Sequence, residues 1–149
     1  MMGKLYFEDI EVGQEFAGDT ILVAREQMLA IAKDFDSQKM HVDSDAAKAM
    51  GFDDVIASGA YTFAAAIKTV QCILDRFHFL PSGLGIEISF VRPVLAGDEI
   101  TAHAEVVSKR RSEKGGRGWA IFKANYVNQD GNTVAEVSWP WLFRTRPAE

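Results

Sequence analysis

Residues 58–77, SGAYTFAAAIKTVQCILDRF, limit the possible folds more than any other part of this 149-residue chain. The strongly polar positions are Lys68, Gln71, Asp75 and Arg76. On a helix, Lys68, Gln71 and Asp75 fall three and four apart and form one narrow stripe, leaving the rest of the circumference apolar. A helix that is apolar on most sides has to be enclosed. Ser58 is a natural cap for its start, and Ala64-Ala65-Ala66 allows another layer to come close. The rest of the chain could therefore wrap this helix.

The second half supplies strands. Residues 83–91 place Leu84, Ile86, Ile88 and Phe90 in alternation with smaller or polar neighbours, and Pro93 ends the run. Ala96-Gly97-Asp98 is turn chemistry. Residues 100–109, 118–128 and 133–143 read as three more strands. Gly115-Gly116 separates the first two of these, and Gln129-Asp130-Gly131-Asn132 is a hairpin signal between the last two.

In the first half, residues 15–23 read as a short strand broken at Gly18 and Asp19. Residues 25–35 put Met28, Ile31, Ala32 and Phe35 on one helical face. Residues 36–41 are polar and irregular, and Asp43 reads as the cap of a short helix over 44–50 closed by Gly51. A meander of four strands, plus one from the N-terminal part, laid around the long helix is an α+β architecture. No repeat or linker divides the chain, so residues 1–149 are expected to form a single domain.

Composition excludes several function classes. Twenty-one acidic and sixteen basic residues leave a net charge of −5. That is the wrong sign for a protein that coats nucleic acid, so no nucleic-acid partner is expected. No apolar run approaches the roughly 18 residues of a membrane helix, and residues 1–7 lack a signal-peptide pattern. The single cysteine, Cys72, can build neither an internal disulfide nor a zinc site. The expectation is a cytoplasmic protein with no metal and no membrane partner.

Three clusters can carry chemistry. Asp36 and His41 lie five residues apart, and a carboxylate and an imidazole at that spacing can converge on one water. Equally, Asp36 suits a loop-capping role and His41 a surface position before a helix. Ser58-Gly59 opens the buried helix, where unpaired N–H groups can hold a developing oxyanion or simply form an ordinary cap. Residues 109–117 contain Lys109, Arg110, Arg111, Lys114 and Arg117 against one acid, Glu113, a local charge of +4. Such a loop suits phosphates or is merely a solvated hairpin. His103 reads as sheet surface or core edge, His78 as a helix-end residue, and Trp119, Trp139 and Trp141 as packing or interface residues.

Together these stretches resemble the MaoC-like hydratase/dehydratase family, the (R)-specific enoyl-CoA hydratases. The resemblance rests on Tyr6-Phe7-Glu8-Asp9-Ile10-Glu11-Val12-Gly13, the Asp36 to His41 motif, Val55-Ile56-Ala57-Ser58-Gly59 and Phe90-Val91-Arg92-Pro93-Val94-Leu95-Ala96-Gly97-Asp98. Their order and spacing match over nearly the whole chain. The resemblance implies a hotdog fold, an antiparallel sheet around one central helix, and at least a homodimer. It implies addition of water to, or removal from, the double bond of a 2-enoyl-CoA in fatty acid metabolism, with no cofactor beyond the coenzyme A of the substrate. Asp36 and His41 would hold and activate the water. The N–H of Gly59 would take the thioester oxygen, with Ser58 supporting that region.

The basic residues 109–117 are an additional candidate for the nucleotide end of CoA and not a family motif. Tyr61, Phe63, Met40 and Leu80 are candidates for narrowing the acyl pocket. The chain departs from the common motif, which has Asn and Pro where Gln38 and Lys39 stand, although a related branch carries Gln at the first position. Lys39 loosens the loop and adds a charge beside the proposed site, which could raise activity, lower it or favour an acidic substrate. The alternatives are a non-catalytic acyl-CoA-binding or assembly subunit and a thioesterase. A hotdog thioesterase often uses a carboxylate on the central helix, and residues 58–66 contain none.

Overall fold

The apolar run becomes helix α4, Gly59–Leu74, capped by Ser58, whose Oγ accepts the Tyr61 N–H at 3.2 Å. A computed structural model describes this and the rest of residues 3–82 and 85–149. Tyr61, Ala65, Ala66, Thr69, Val70 and Ile73 are buried, while Lys68 and Gln71 face outward as their spacing requires. The enclosure is less complete than the sequence implies. Ala60, Ala64 and Ile67 are also exposed, because the sheet wraps α4 from one side only.

Among the described residues, a 3-10 turn over Phe7–Asp9 and three short α-helices precede α4. Helix α1 spans Arg25–Phe35, α2 is a single turn over Lys39–Val42, and α3 spans Ser44–Ala49. Asp43 caps α3 by accepting the N–H groups of Asp45 and Ala46 at 3.0 and 3.1 Å. The turn α2 corrects the expectation of an irregular 36–41 segment. Met28 and Ala32 of α1 are buried as expected, but Phe35 is 80% exposed. It is the last residue of the helix, beyond the core that α1 covers.

Among the described residues there are six strands, β1 (Glu15–Leu22), β2 (Phe79–Leu80), β3 (Glu87–Phe90), β4 (Glu99–Arg111), β5 (Arg117–Val127) and β6 (Thr133–Arg144). They form one antiparallel sheet in the order β1-β4-β5-β6-β2, with β3 also paired to β6. Only β4, β5 and β6 make a meander. The expected fourth member, β3, lies across the sheet on β6, and the chain returns from there to β4. Gly83 and Leu84, assigned to this strand from sequence, lie outside the described residues, and Phe90 is 56% exposed at the sheet edge.

Alternation on the long strands sends Ala102, Ala104 and Val106 of β4, and Ala120, Phe122, Ala124 and Tyr126 of β5, toward α4. Small residues on the sheet let the helix settle close. The contact is tightest at Gly18, where a Cβ would come within 2.5 Å of the Thr69 carbonyl oxygen and 2.7 Å of the Ala102 Cβ. The pairing of β1 shifts register between Ala17 and Thr20, around this glycine. Phe16, Phe77, Phe122, Phe143 and Trp141 fill the wider end of the core. Tyr126 ties the layers together, donating to the Ala66 carbonyl at 3.1 Å and accepting Trp139 Nε1–H at 3.0 Å. This sheet around a central helix is the hotdog fold. Among the described residues, no helix is long and apolar enough to cross a membrane.

Candidate active site

Asp36 follows the last residue of α1 and leaves the helix with φ −155° and ψ 77°. The chain turns through Ser37 and Gln38 into α2, which brings His41 back toward the carboxylate. Gln38 Nε2 donates to Asp36 Oδ1 at 3.0 Å. His41 is 6% exposed, and its Nδ1 lies 2.8 Å from the Ile56 carbonyl oxygen. A carbonyl can only accept, so Nδ1 carries the hydrogen, and of the two neutral tautomers this is the one whose lone pair lies at Nε2. That nitrogen faces Asp36 Oδ2 at 3.6 Å. The gap is too long for a direct hydrogen bond and wide enough for a water oxygen to contact both atoms.

The Ile56 carbonyl is itself fixed. Ile56 N–H donates to the Met40 carbonyl at 3.1 Å, Ala57 N–H to the Val94 carbonyl at 2.8 Å, and Ile56 bridges Leu95. The Val94 segment is anchored by Asp98, which is buried and accepts Leu95 N–H at 2.9 Å and Gln129 Nε2–H at 3.0 Å. Gly97 makes that turn with φ +88°, a conformation suited to glycine. The Phe90 to Asp98 stretch is thus the scaffold on which the imidazole is oriented.

Gly59 stands opposite. It is the first residue of α4, and neither its N–H nor that of Ala60 has a backbone acceptor among the described residues. The Phe90 ring lies against it, so close that a Cβ on residue 59 would come within 3.0 Å of Phe90 Cζ. Ser58 is fully buried and acts as the cap rather than as a pocket wall.

A cavity of about 370 Å³ brings together Asp36, His41, Gly59, Thr62, Phe90 and Arg92. Thr62 and the guanidinium-bearing Arg92 were not singled out from sequence. Thr62 follows Gly59 by three positions, one helical turn, which is the signal that places it there. Tyr61, Phe63, Met40 and Leu80, expected to narrow the pocket, do not line it. Tyr61 points into the core, where burial pushes its phenol up, and Leu80 lies toward the opposite end of the sheet. A larger hollow of about 620 Å³ on the outer sheet face, by His103 and Lys123, lacks such an acid–base pair beside a helix N-terminus. Among the described residues, no group of three or more His, Cys, Asp or Glu is arranged to hold a metal ion.

The basic residues are not brought to this pocket. Lys109, Arg110 and Arg111 belong to β4 and Arg117 to β5, so the loop proper is shorter than the sequence suggests. Arg117 lies nine residue steps along β5 from Tyr126, which pairs with Ala135 opposite Phe90. At about 3.3 Å per residue the hairpin lies roughly 30 Å along the sheet from the pocket. Lys109 and Arg111 lie over the Phe7 ring, at 4.9 and 5.6 Å, and Arg111 pairs with Glu8 at 2.8 Å. They anchor the N-terminal segment.

A family model described as "MaoC like domain" matches residues 9–120. The uncharacterized protein YdeM of Bacillus subtilis is 32% identical over 113 residues, 72% of this chain and 79% of its own. The structure is similar to that of a protein described as monoamine oxidase regulatory protein from Archaeoglobus fulgius (30% identity, TM-score 0.85, 98% of each chain covered). It is similar also to the MaoC-like dehydratase of Rhodospirillum rubrum (27% identity, TM-score 0.82, 97% of this chain and 99% of that one). With the Asp36–His41 motif, the capped helix and the Asp98 turn all present on a hotdog fold, the chain belongs to the MaoC-like domain family of hydratases and dehydratases.

Proposed function

We propose that this pocket adds water to, or removes it from, the double bond of a 2-enoyl thioester on coenzyme A. The observation that carries the reading is one juxtaposition. His41 Nε2 and a carboxylate oxygen of Asp36, 3.6 Å apart, share a cavity with Gly59 at the start of α4, whose N–H has no backbone acceptor among the described residues.

A thioester carbonyl seated at Gly59 would conjugate to the double bond that lies toward Asp36 and His41. Water held between Oδ2 and Nε2 gives a proton to the pair as its oxygen bonds to C3. The π electrons move to the carbonyl oxygen, where the Gly59 N–H and the helix dipole meet the new charge. The enolate then collapses and the pair returns the proton to C2. The water is thereby divided, hydroxyl on C3 and hydrogen on C2, and the reverse sequence is dehydration. One oxyanion donor is worth about 3–4 kcal/mol, and positioned proton transfer about 10²–10⁴-fold in rate.

The thioesterase alternative lacks support from α4, whose first turns carry no carboxylate. The apolar edge around Phe90 and Val91 supports a homodimer joined through its sheets.

The test is turnover of crotonyl-CoA and of longer and branched enoyl-CoAs, followed by loss of the conjugated thioester absorbance. Hydration of one of these is the expected result. Release of free thiol would mark a thioesterase. Binding of the whole series without turnover would mark an acyl-CoA-binding subunit.

A further inference from the structure

We infer that the end of the sheet remote from the pocket holds a phosphate-bearing ligand between Arg117 and Arg144. These arginines are direct cross-strand partners at the ends of β5 and β6. Direct partners project from the same face of a sheet, and like charges placed this way repel. Among the described residues neither arginine forms an ion pair. Of the carboxylates nearby, Glu8 is engaged by Arg111 and Asp9 by Arg146 at 2.7 Å, while Glu113 in the turn and Asp75, which lines an adjoining hollow with Arg144, pair with neither arginine.

The pair also lines a space. A hollow of about 660 Å³ lies between the Gly115-Gly116 turn and the C-terminal stretch, with Arg117, Arg144 and Thr145 on its wall. Thr145 N–H donates to the Gly116 carbonyl at 3.1 Å, which fixes the stretch against the turn. Both glycines hold positive φ, +71° and +68°, which keeps the turn tight. Lys114 extends the positive field in a chain whose net charge is −5. Two guanidinium forks on one face match the oxygens of a phosphate or pyrophosphate, and a dianion between them replaces repulsion with charge-assisted hydrogen bonds. The site differs from the set expected from sequence. It uses Arg144, which lies 27 positions from Arg117, and releases Lys109 and Arg111 to their contacts with Phe7. It holds whether or not the pocket hydrates a thioester.

The test is titration of the full chain with pyrophosphate, ADP and coenzyme A in phosphate-free buffer, by calorimetry and by thermal melting. Saturable pyrophosphate binding that raises the melting temperature is expected. Arg144→Gln and Arg117→Gln should each lower that affinity at least about tenfold and should melt no lower than wild type without ligand. Equal affinity for the three ligands would identify a free phosphate group as what is read, and tighter coenzyme A binding that Arg144→Gln weakens would identify its nucleotide end. Absence of saturable binding, or binding undiminished in both variants, would overturn the inference.

Discussion

Replacing Gly18 by alanine tests how the site is positioned, because the distance between α4 and the sheet is set at that glycine. The new methyl would lie 2.5 Å from the Thr69 carbonyl oxygen and 2.7 Å from the Ala102 Cβ. Neither neighbour is the end of a flexible side chain. The helix must therefore lift or β1 must bend, and overpacking of this kind costs about 1–3 kcal/mol. For a chain of this size that is a fall in melting temperature of roughly 2–12 °C. Gly59→Ala is the matched control. Its methyl meets only the tip of the exposed Phe90 ring, at 3.0 Å, and that ring can swing away. Alanine is also the better helix residue, so stability should change by under about 1 kcal/mol. Calorimetric melting of the three proteins decides the matter. An unchanged melting temperature for Gly18→Ala, or a larger loss for Gly59→Ala, would refute the close packing of α4 on the sheet.

Ser58→Ala removes a buried cap and should cost about 1 kcal/mol in urea denaturation, with a fall in turnover as the first turn of α4 frays. Tyr126→Phe strands the Trp139 N–H and cuts the tie to the Ala66 carbonyl, and a loss of about 1–3 kcal/mol is expected by the same assay. The Tyr6 N–H, and then the Arg146 guanidinium, hold the Asp9 carboxyl below the usual carboxylate range. A carboxyl depressed in the folded state contributes stability above its unfolded pKa, near 3.9, and loses it as pH falls through the folded value. Asp9→Asn should therefore melt below wild type at pH 7, with the difference closing in strongly acidic buffer.

Features with local causes were legible in the sequence. The caps at Asp43 and Ser58 follow from side chains that reach N–H groups two or three residues on. The turns at Gly97, Gly115, Gly116 and Gly131 follow from positive φ. Helix α1 was readable to its ends because its apolar spacing is unbroken. What failed depends on contacts distant in sequence. Whether β3 pairs with β4 or β6 is decided by how the chain crosses the helix, and nothing in residues 83–91 encodes that choice. Strand β2 is two residues long and exists only because β6 extends past Pro140.

The candidate site divides in the same way. Asp36, His41 and Gly59 were visible as a motif and a helix start. The bond from His41 Nδ1 to Ile56 spans fifteen residues, and it is what assigns the lone pair to Nε2. The basic cluster was visible as charge alone. Alternation along β4 puts Lys109 and Arg111 on one face and Arg110 on the other, but only the position of Phe7 shows which face is enclosed.

The central claim is that Asp36 and His41 together activate water, and the most direct measurement is the hydration rate of an accepted enoyl-CoA by wild type and Asp36→Asn. The amide keeps the shape and the Gln38 contact region but cannot take a proton. A fall in kcat of about 10²–10⁴-fold, with melting temperature and binding of the saturated acyl-CoA unchanged, is the predicted result. An Asp36→Asn protein that hydrates at the wild-type rate would contradict the account.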